Sequence, residues 1–128
     1  MTPHGQFYWN ELMTRDPASA KRFYGETLGW TFDDMPMPDG TTYSVAKAGG
    51  KNAGGIFDAT EQLGPEAPES WMVYIAVDDV DSAIEAARAR GATILREPFD
   101  VPGVGRIAML TDPHGAAMGW MTPEPAQE

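Results

Sequence analysis

The chain has 128 residues, and nineteen acidic against nine basic side chains give it a formal net charge of −10. Such a surface repels phosphate backbones and anionic lipids, so neither nucleic acid nor a membrane surface is expected as a partner. The absence of cysteine excludes disulfides, thiolate zinc sites, iron–sulfur clusters and a cysteine nucleophile.

No apolar run approaches the ~20 residues of a membrane span, and the opening Met1-Thr2-Pro3-His4-Gly5 does not read as a signal peptide, so the cytoplasm is the expected location. The stretch FYWNELMT, from Phe7, reads as a strand. Asp16 is placed as a helix N-cap, with Pro17 at the first helical position and Gly29 at the stop. Ala20, Phe23, Tyr24 and Leu28 share one face of that helix. Strands follow in WTFDDM, TTYSVAKA and AGGIFD, with turns at Asp39-Gly40 and in AGGKN. GPEAPES is a connector.

The same order then recurs. WMVYIAV alternates strictly, with Val73, Ile75 and Val77 on one face and Met72, Tyr74 and Ala76 on the other. Asp79 caps a second helix with an apolar stripe of Val80, Ala83, Ile84 and Ala87, and Gly91 ends it. ATILREPF, RIAMLTD and AAMGWM are the closing strands, with the turn DPHG before the last.

Asp16, Ser19 and Ala20 match Asp79, Ser82 and Ala83 at an offset of 63 residues, and the later AGGI matches AMGW at 64. Order, caps and lengths agree, which describes a tandem βαβββ repeat. The expected fold is α+β, one domain of two βαβββ modules spanning about residues 6–63 and 70–122. Curved mixed sheets would carry helices on the outer face and leave a concave pocket.

Three stretches, Asp16 to Trp30 (D-x-x-x-A-x-x-FY-x-x-x-LGW), VDDVDSAIEAARARGA and DPHGAAMGW, resemble the vicinal oxygen chelate superfamily. That group includes glyoxalase I, extradiol dioxygenases, fosfomycin-resistance enzymes and bleomycin-resistance proteins. The likeness runs from about Phe7 to Met121 and is strongest to small bleomycin-resistance-like members. Metalloenzymes of the group place His, Glu or Gln at one position in the first and last strand of each module. Carried over, those positions fall on Trp9, Gly55, Met72 and Gly119. None offers an oxygen or nitrogen cage for a divalent ion, so no metal and no other cofactor is expected.

Strand alternation puts Phe7, Trp9, Glu11 and Met13 on the concave face, joined by Met72, Tyr74, Gly55, Phe57, Gly119 and Met121. The ligand-binding set is therefore Trp9, Glu11, Gly55, Phe57, Trp71, Met72, Tyr74 and Gly119. Bare glycines at two positions would let a ligand ring approach, and methionine adapts to irregular apolar shapes. Glu11 is the candidate catalytic or anchoring carboxylate, since a desolvated carboxylate can serve as base or hold a ligand amine. Its structural alternative is a pair with Arg15, Arg106 or a tyrosine hydroxyl, with Tyr74 as the natural donor. His114 falls in the DPHG turn, and His4 precedes the first strand.

These residues imply metal-free binding, in its most concrete form sequestration, of a small apolar or aromatic molecule. The acidic surface favours a cationic one, and exposed sheet edges favour a homodimer. One alternative is a glyoxalase- or dioxygenase-like lyase or isomerase, metal-dependent or using Glu11 as base. The other is a non-catalytic protein-interaction module.

Overall fold

The computed structural model describes residues 3–38, 40–101 and 104–124. The chain forms two compact units, one from Trp9 to Met72, the other from Val73 onward together with the segment up to Tyr8.

The Trp9–Met72 unit contains β1 (Phe7–Thr14), α1 (Pro17–Leu28), β2 (Thr31–Pro36), β3 (Thr42–Ala48) and β4 (Lys51–Asp58). Its strand order is β2-β3-β4-β1, with β1 parallel to β4 and the other neighbours antiparallel. Asp16 caps α1 by accepting the Ser19 backbone N–H at 3.0 Å, and Pro17 stands at the helix start. Gly29 closes it at φ 75°, a left-handed backbone that glycine adopts without a Cβ penalty. Met37 N–H reaches the Thr41 carbonyl at 2.8 Å; Asp39 of the expected Asp39-Gly40 turn lies outside the described residues. The core of this unit is Leu12, Met13, Ala46, Ile56 and Ala59 with Thr14 and Ser44. The stripe expected on α1 is only half met: Ala20 and Tyr24 are partly buried, with Pro17, Lys21 and Gly25, but Phe23 and Leu28 are not. No α1 residue is buried, and Phe23 and Leu28 are each 59% exposed. The helix side of the sheet carries Leu12, Thr14 and Ile56, all buried, while the large side chains of Phe23 and Leu28 project to solvent.

The unit from Val73 onward repeats the plan with β5 (Ser70–Ala76), α2 (Val80–Ala89), β6 (Thr93–Val101), β7 (Gly105–Thr111) and β8 (Ala117–Pro123). Its order is β5-β8-β7-β6, again with the first strand parallel to the last. Both sheets are curved and mixed, as the repeat implied. Here the helix stripe is properly seated: Val80, Ile84 and Ala87 pack with Val77, Ala108 and Leu110. The Asp79 carboxylate accepts the backbone N–H groups of Asp81 and Ser82 and the Ser82 hydroxyl. Thr122 Oγ1 accepts the Val80 N–H at 2.9 Å. Replacing Asp79 with Ala strands these donors at the helix start. It should lower stability by about 1 kcal/mol in urea unfolding.

Among the described residues, no helix is long and apolar enough to cross a membrane.

Candidate functional site

In β1, Trp9, Glu11 and Met13 alternate away from Leu12 and Thr14, which face α1. The β1–β4 register sets Glu11 opposite Gly55 and Met13 opposite Phe57, so these four share the face away from the helix. The antiparallel β3–β4 register adds Tyr43 opposite Phe57 and Val45 opposite Gly55. Tyr43 leans diagonally across its neighbour, and diagonal pairs on one sheet face lie within reach of an aromatic side chain. A Cβ at Gly55 would overlap the Tyr43 hydroxyl and ring. Tyr43 therefore occupies the room that the missing side chain leaves.

The Tyr43 hydroxyl accepts the Trp9 indole Nε1–H at 2.8 Å and donates to the Glu11 carboxylate. Burial pushes the Tyr43 phenol far above its ordinary value. The negative charge of Glu11 and the hydrogen bond to it push the same way, and the Trp9 N–H opposes them. The phenol is thus a firm donor. Because the unfolded chain loses this proton first, near pH 10.0, stability from the neutral phenol is complete below that pH and falls as pH rises above it. Alkaline ultraviolet titration, compared with Tyr43→Phe, should show no Tyr43 phenolate until the fold melts. Glu11→Gln should bring that ionisation to lower pH.

A partner of Glu11 on this face is thus the hydroxyl of Tyr43, a tyrosine that the sequence reading, which allowed a tyrosine hydroxyl, did not name. A signal existed in TTYSVAKA, where small Ser44 and Ala46 suit the helix side and leave Tyr43 for the other. The cationic partners weighed for Glu11 are engaged elsewhere. Arg15 binds the Gly64 and Ala67 carbonyls and lies 3.7 Å from Glu69, and Arg106 pairs with Asp81 and Asp100. Glu69 accepts the Thr14 hydroxyl at 2.6 Å and the Arg15 N–H at 3.0 Å, which hold its carboxyl below the usual range and tie the connector to the end of β1.

Trp71 does not join Trp9. It sits on the helix side of its unit, with Nε1 3.2 Å from the Tyr24 hydroxyl and its ring edge-on to Tyr24 and Trp30 at 5.6 and 6.0 Å. The alternation of β5 puts it there, on the same face as Val73 and Ile75. Met72 and Phe57 are partly buried.

In the other unit Tyr74 stands opposite Gly119 in the β5–β8 register, and a Cβ at Gly119 would overlap the Tyr74 ring edge. Tyr74 is 5% exposed, with its hydroxyl 3.8 Å from the Met109 sulfur. The expectation that Gly55 and Gly119 open space for a ligand is therefore corrected. In each unit an aromatic ring fills the space, because a glycine beside a tyrosine lets the ring lie flat on the backbone.

A divalent metal does not fit these positions. Trp9, Met72, Gly55 and Gly119 supply no suitable donor, and rings cover the two glycines. Among the described residues, no three His, Asp or Glu side chains converge. His4 Nδ1 accepts the Asp78 backbone N–H at 2.9 Å, and Asp112 organises the DPHG turn by accepting the His114 and Ala116 N–H groups.

Residues 6–118 match the model of the Glyoxalase/Bleomycin resistance protein/Dioxygenase superfamily. The chain is 41% identical over 123 residues to the glyoxylase-named protein CFP32 of Mycobacterium tuberculosis, covering 96% of this chain and 46% of that one. It is 31% identical over 122 residues to the anthracycline biosynthesis protein DnrV of Streptomyces peucetius, covering 85% and 44%. The chain thus spans about half the length of these curated relatives. Its fold matches methylmalonyl-CoA epimerase in complex with methylmalonyl-CoA and NH4+, with a TM-score of 0.69 at 15% identity over 98% of this chain and 99% of that one. The family match over residues 6–118 and the shared fold agree, and the chain belongs to the Glyoxalase/Bleomycin resistance protein/Dioxygenase superfamily.

Proposed function

We propose that this protein binds, and by binding sequesters, a small apolar or aromatic molecule on the face of the Trp9–Met72 unit that carries Trp9, Glu11 and Tyr43, without a metal. The hydrogen-bonded trio carries this reading. Tyr43, laid over Gly55, links an indole donor to a carboxylate and so fixes a polar centre on an otherwise apolar strand face. The Glu11 carboxylate and the −10 surface favour a cationic ligand, with the Trp9 ring available for cation–π contact. DnrV is named for anthracycline biosynthesis, which makes planar polycyclic amines the first compounds to try. The protein would act as a homodimer in the cytoplasm, and light scattering in solution reads the dimer directly.

A panel of aromatic amines tested by thermal shift and indole fluorescence should give saturable stabilisation that Glu11→Gln and Tyr43→Phe remove. A panel without any ligand-dependent shift overturns the reading.

The carboxylate–phenol pair of Glu11 and Tyr43 also favours a second reading, proton abstraction next to a carbonyl with Glu11 as base. Exchange of a carbonyl-activated C–H into deuterium oxide, abolished in Glu11→Gln, would support it.

A further inference from the structure

The unit from Val73 onward has an open crevice of about 560 Å³ on its helix side, away from the Tyr74–Gly119 face. Its floor is Ile75, Leu110, Met118 and Trp120 of the sheet with Val77 just after β5, and its wall is Ala83, Ala86 and Ala87 of α2. Short alanine side chains keep the helix wall low where Leu or Ile would fill the space. The volume lies within the range of small-molecule pockets, about 300–1,000 Å³.

The polar residues of this crevice are His4, Arg90, Asp112 and Trp120. Trp120, part of the floor, has its indole Nε1–H fully buried with no hydrogen-bond partner among the described residues. An unmet buried donor costs about 1–3 kcal/mol, and such groups in native proteins point to an absent acceptor. At the mouth stands Arg90. Arg15, Arg88 and Arg106 each hold carboxylates, whereas Arg90 makes no ion pair among the described residues. Asp112, also on the rim, has its carboxylate turned to the His114 and Ala116 N–H groups.

We propose that this crevice is a second binding site, for an organic carboxylate with an apolar tail. The tail lies against Met118 and Leu110 along the alanine wall. The carboxylate meets Arg90, and an oxygen of the ligand accepts the Trp120 N–H. This site is separate from the Trp9 site and stands or falls independently of it.

Decanoate is the probe, titrated into ¹⁵N-labelled full chain while the four indole N–H signals are followed, assigned by Trp→Phe variants. The Trp120 signal should move saturably. Decanol should bind about tenfold more weakly, because it lacks the charge-assisted contact to Arg90. Arg90→Ala should erase that difference. Ala86→Leu, at an exposed helix position, should block both ligands while leaving the unfolding midpoint equal or higher. Trp120→Phe should weaken decanoate without unfolding the chain. A Trp120 signal that stays still, decanol binding as tightly as decanoate, or undiminished binding to Ala86→Leu would overturn the proposal.

Discussion

Gly119→Ala should cost about 1–3 kcal/mol in urea unfolding, the range for forcing extra atoms into a packed interior. Gly119 is buried in β8, and the added methyl would overlap the middle of the Tyr74 ring edge rather than a mobile tip. The ring cannot yield easily, since Tyr74 is 5% exposed and neighbours Ala76 and Met121, at 0% and 3%. Truncating the ring instead, in Tyr74→Ala, should cost about 3–5 kcal/mol by leaving a cavity. The double variant should be clearly less destabilised than the sum of the two, because the new methyl occupies part of that cavity. Additive losses would show that the two residues do not share this space.

Tyr43→Phe should have the second-largest effect, and it should touch function more than stability. Removing the hydroxyl leaves the Trp9 N–H without its acceptor and takes a donor from Glu11, a loss of about 1–3 kcal/mol. Ligand affinity at this face should fall about tenfold or more, the scale of one lost hydrogen bond to a charged group. Gly55→Ala should reproduce the binding defect at an equal or larger cost in stability. There the new methyl strikes the hydroxyl end of Tyr43, which can swing aside, but swinging aside breaks both hydrogen bonds. Denaturant midpoints and ligand titrations of the two variants check this ordering. Gly55→Ala with undiminished binding would remove Tyr43 from the site.

The fold was legible because its signals are local. The strand FYWNELMT keeps its bounds as β1, Asp16 and Asp79 cap their helices, and Gly29 closes α1, all from side chains acting within a few residues of themselves. Across the parallel pairs Gly55 lies opposite Glu11 and Gly119 opposite Tyr74. What fills those positions was not legible. Tyr43 reaches Gly55 diagonally across the β3–β4 hairpin; the AGGKN turn and the small Ser44 and Ala46 carried its facing, but which neighbour the ring covers is decided by packing on the folded sheet. Trp71, expected in the ligand-binding set, stands instead on the helix side with Tyr24 and Trp30, as its alternation with Val73 and Ile75 along β5 requires. The α1 stripe shows a second limit, because periodicity tells which side chains share a face but not whether a deep enough bed lies beneath them.

That exposed stripe has a consequence for how the two repeats wear under mutation and heat. Opening α2 tears Val80, Ile84 and Ala87 from close packing, whereas opening α1 strips no buried residue from the helix itself but uncovers Leu12 and Thr14 of the sheet. The first helix is held by its caps, by Tyr24 against Trp30 and Trp71 and by the Lys21–Asp34 pair, and with no buried residue of its own it should open before α2 on heating. Two segments built on one plan thus differ in local unfolding cost, and α1 is the one that should accept substitutions at large apolar positions such as Phe23 and Leu28, which are exposed.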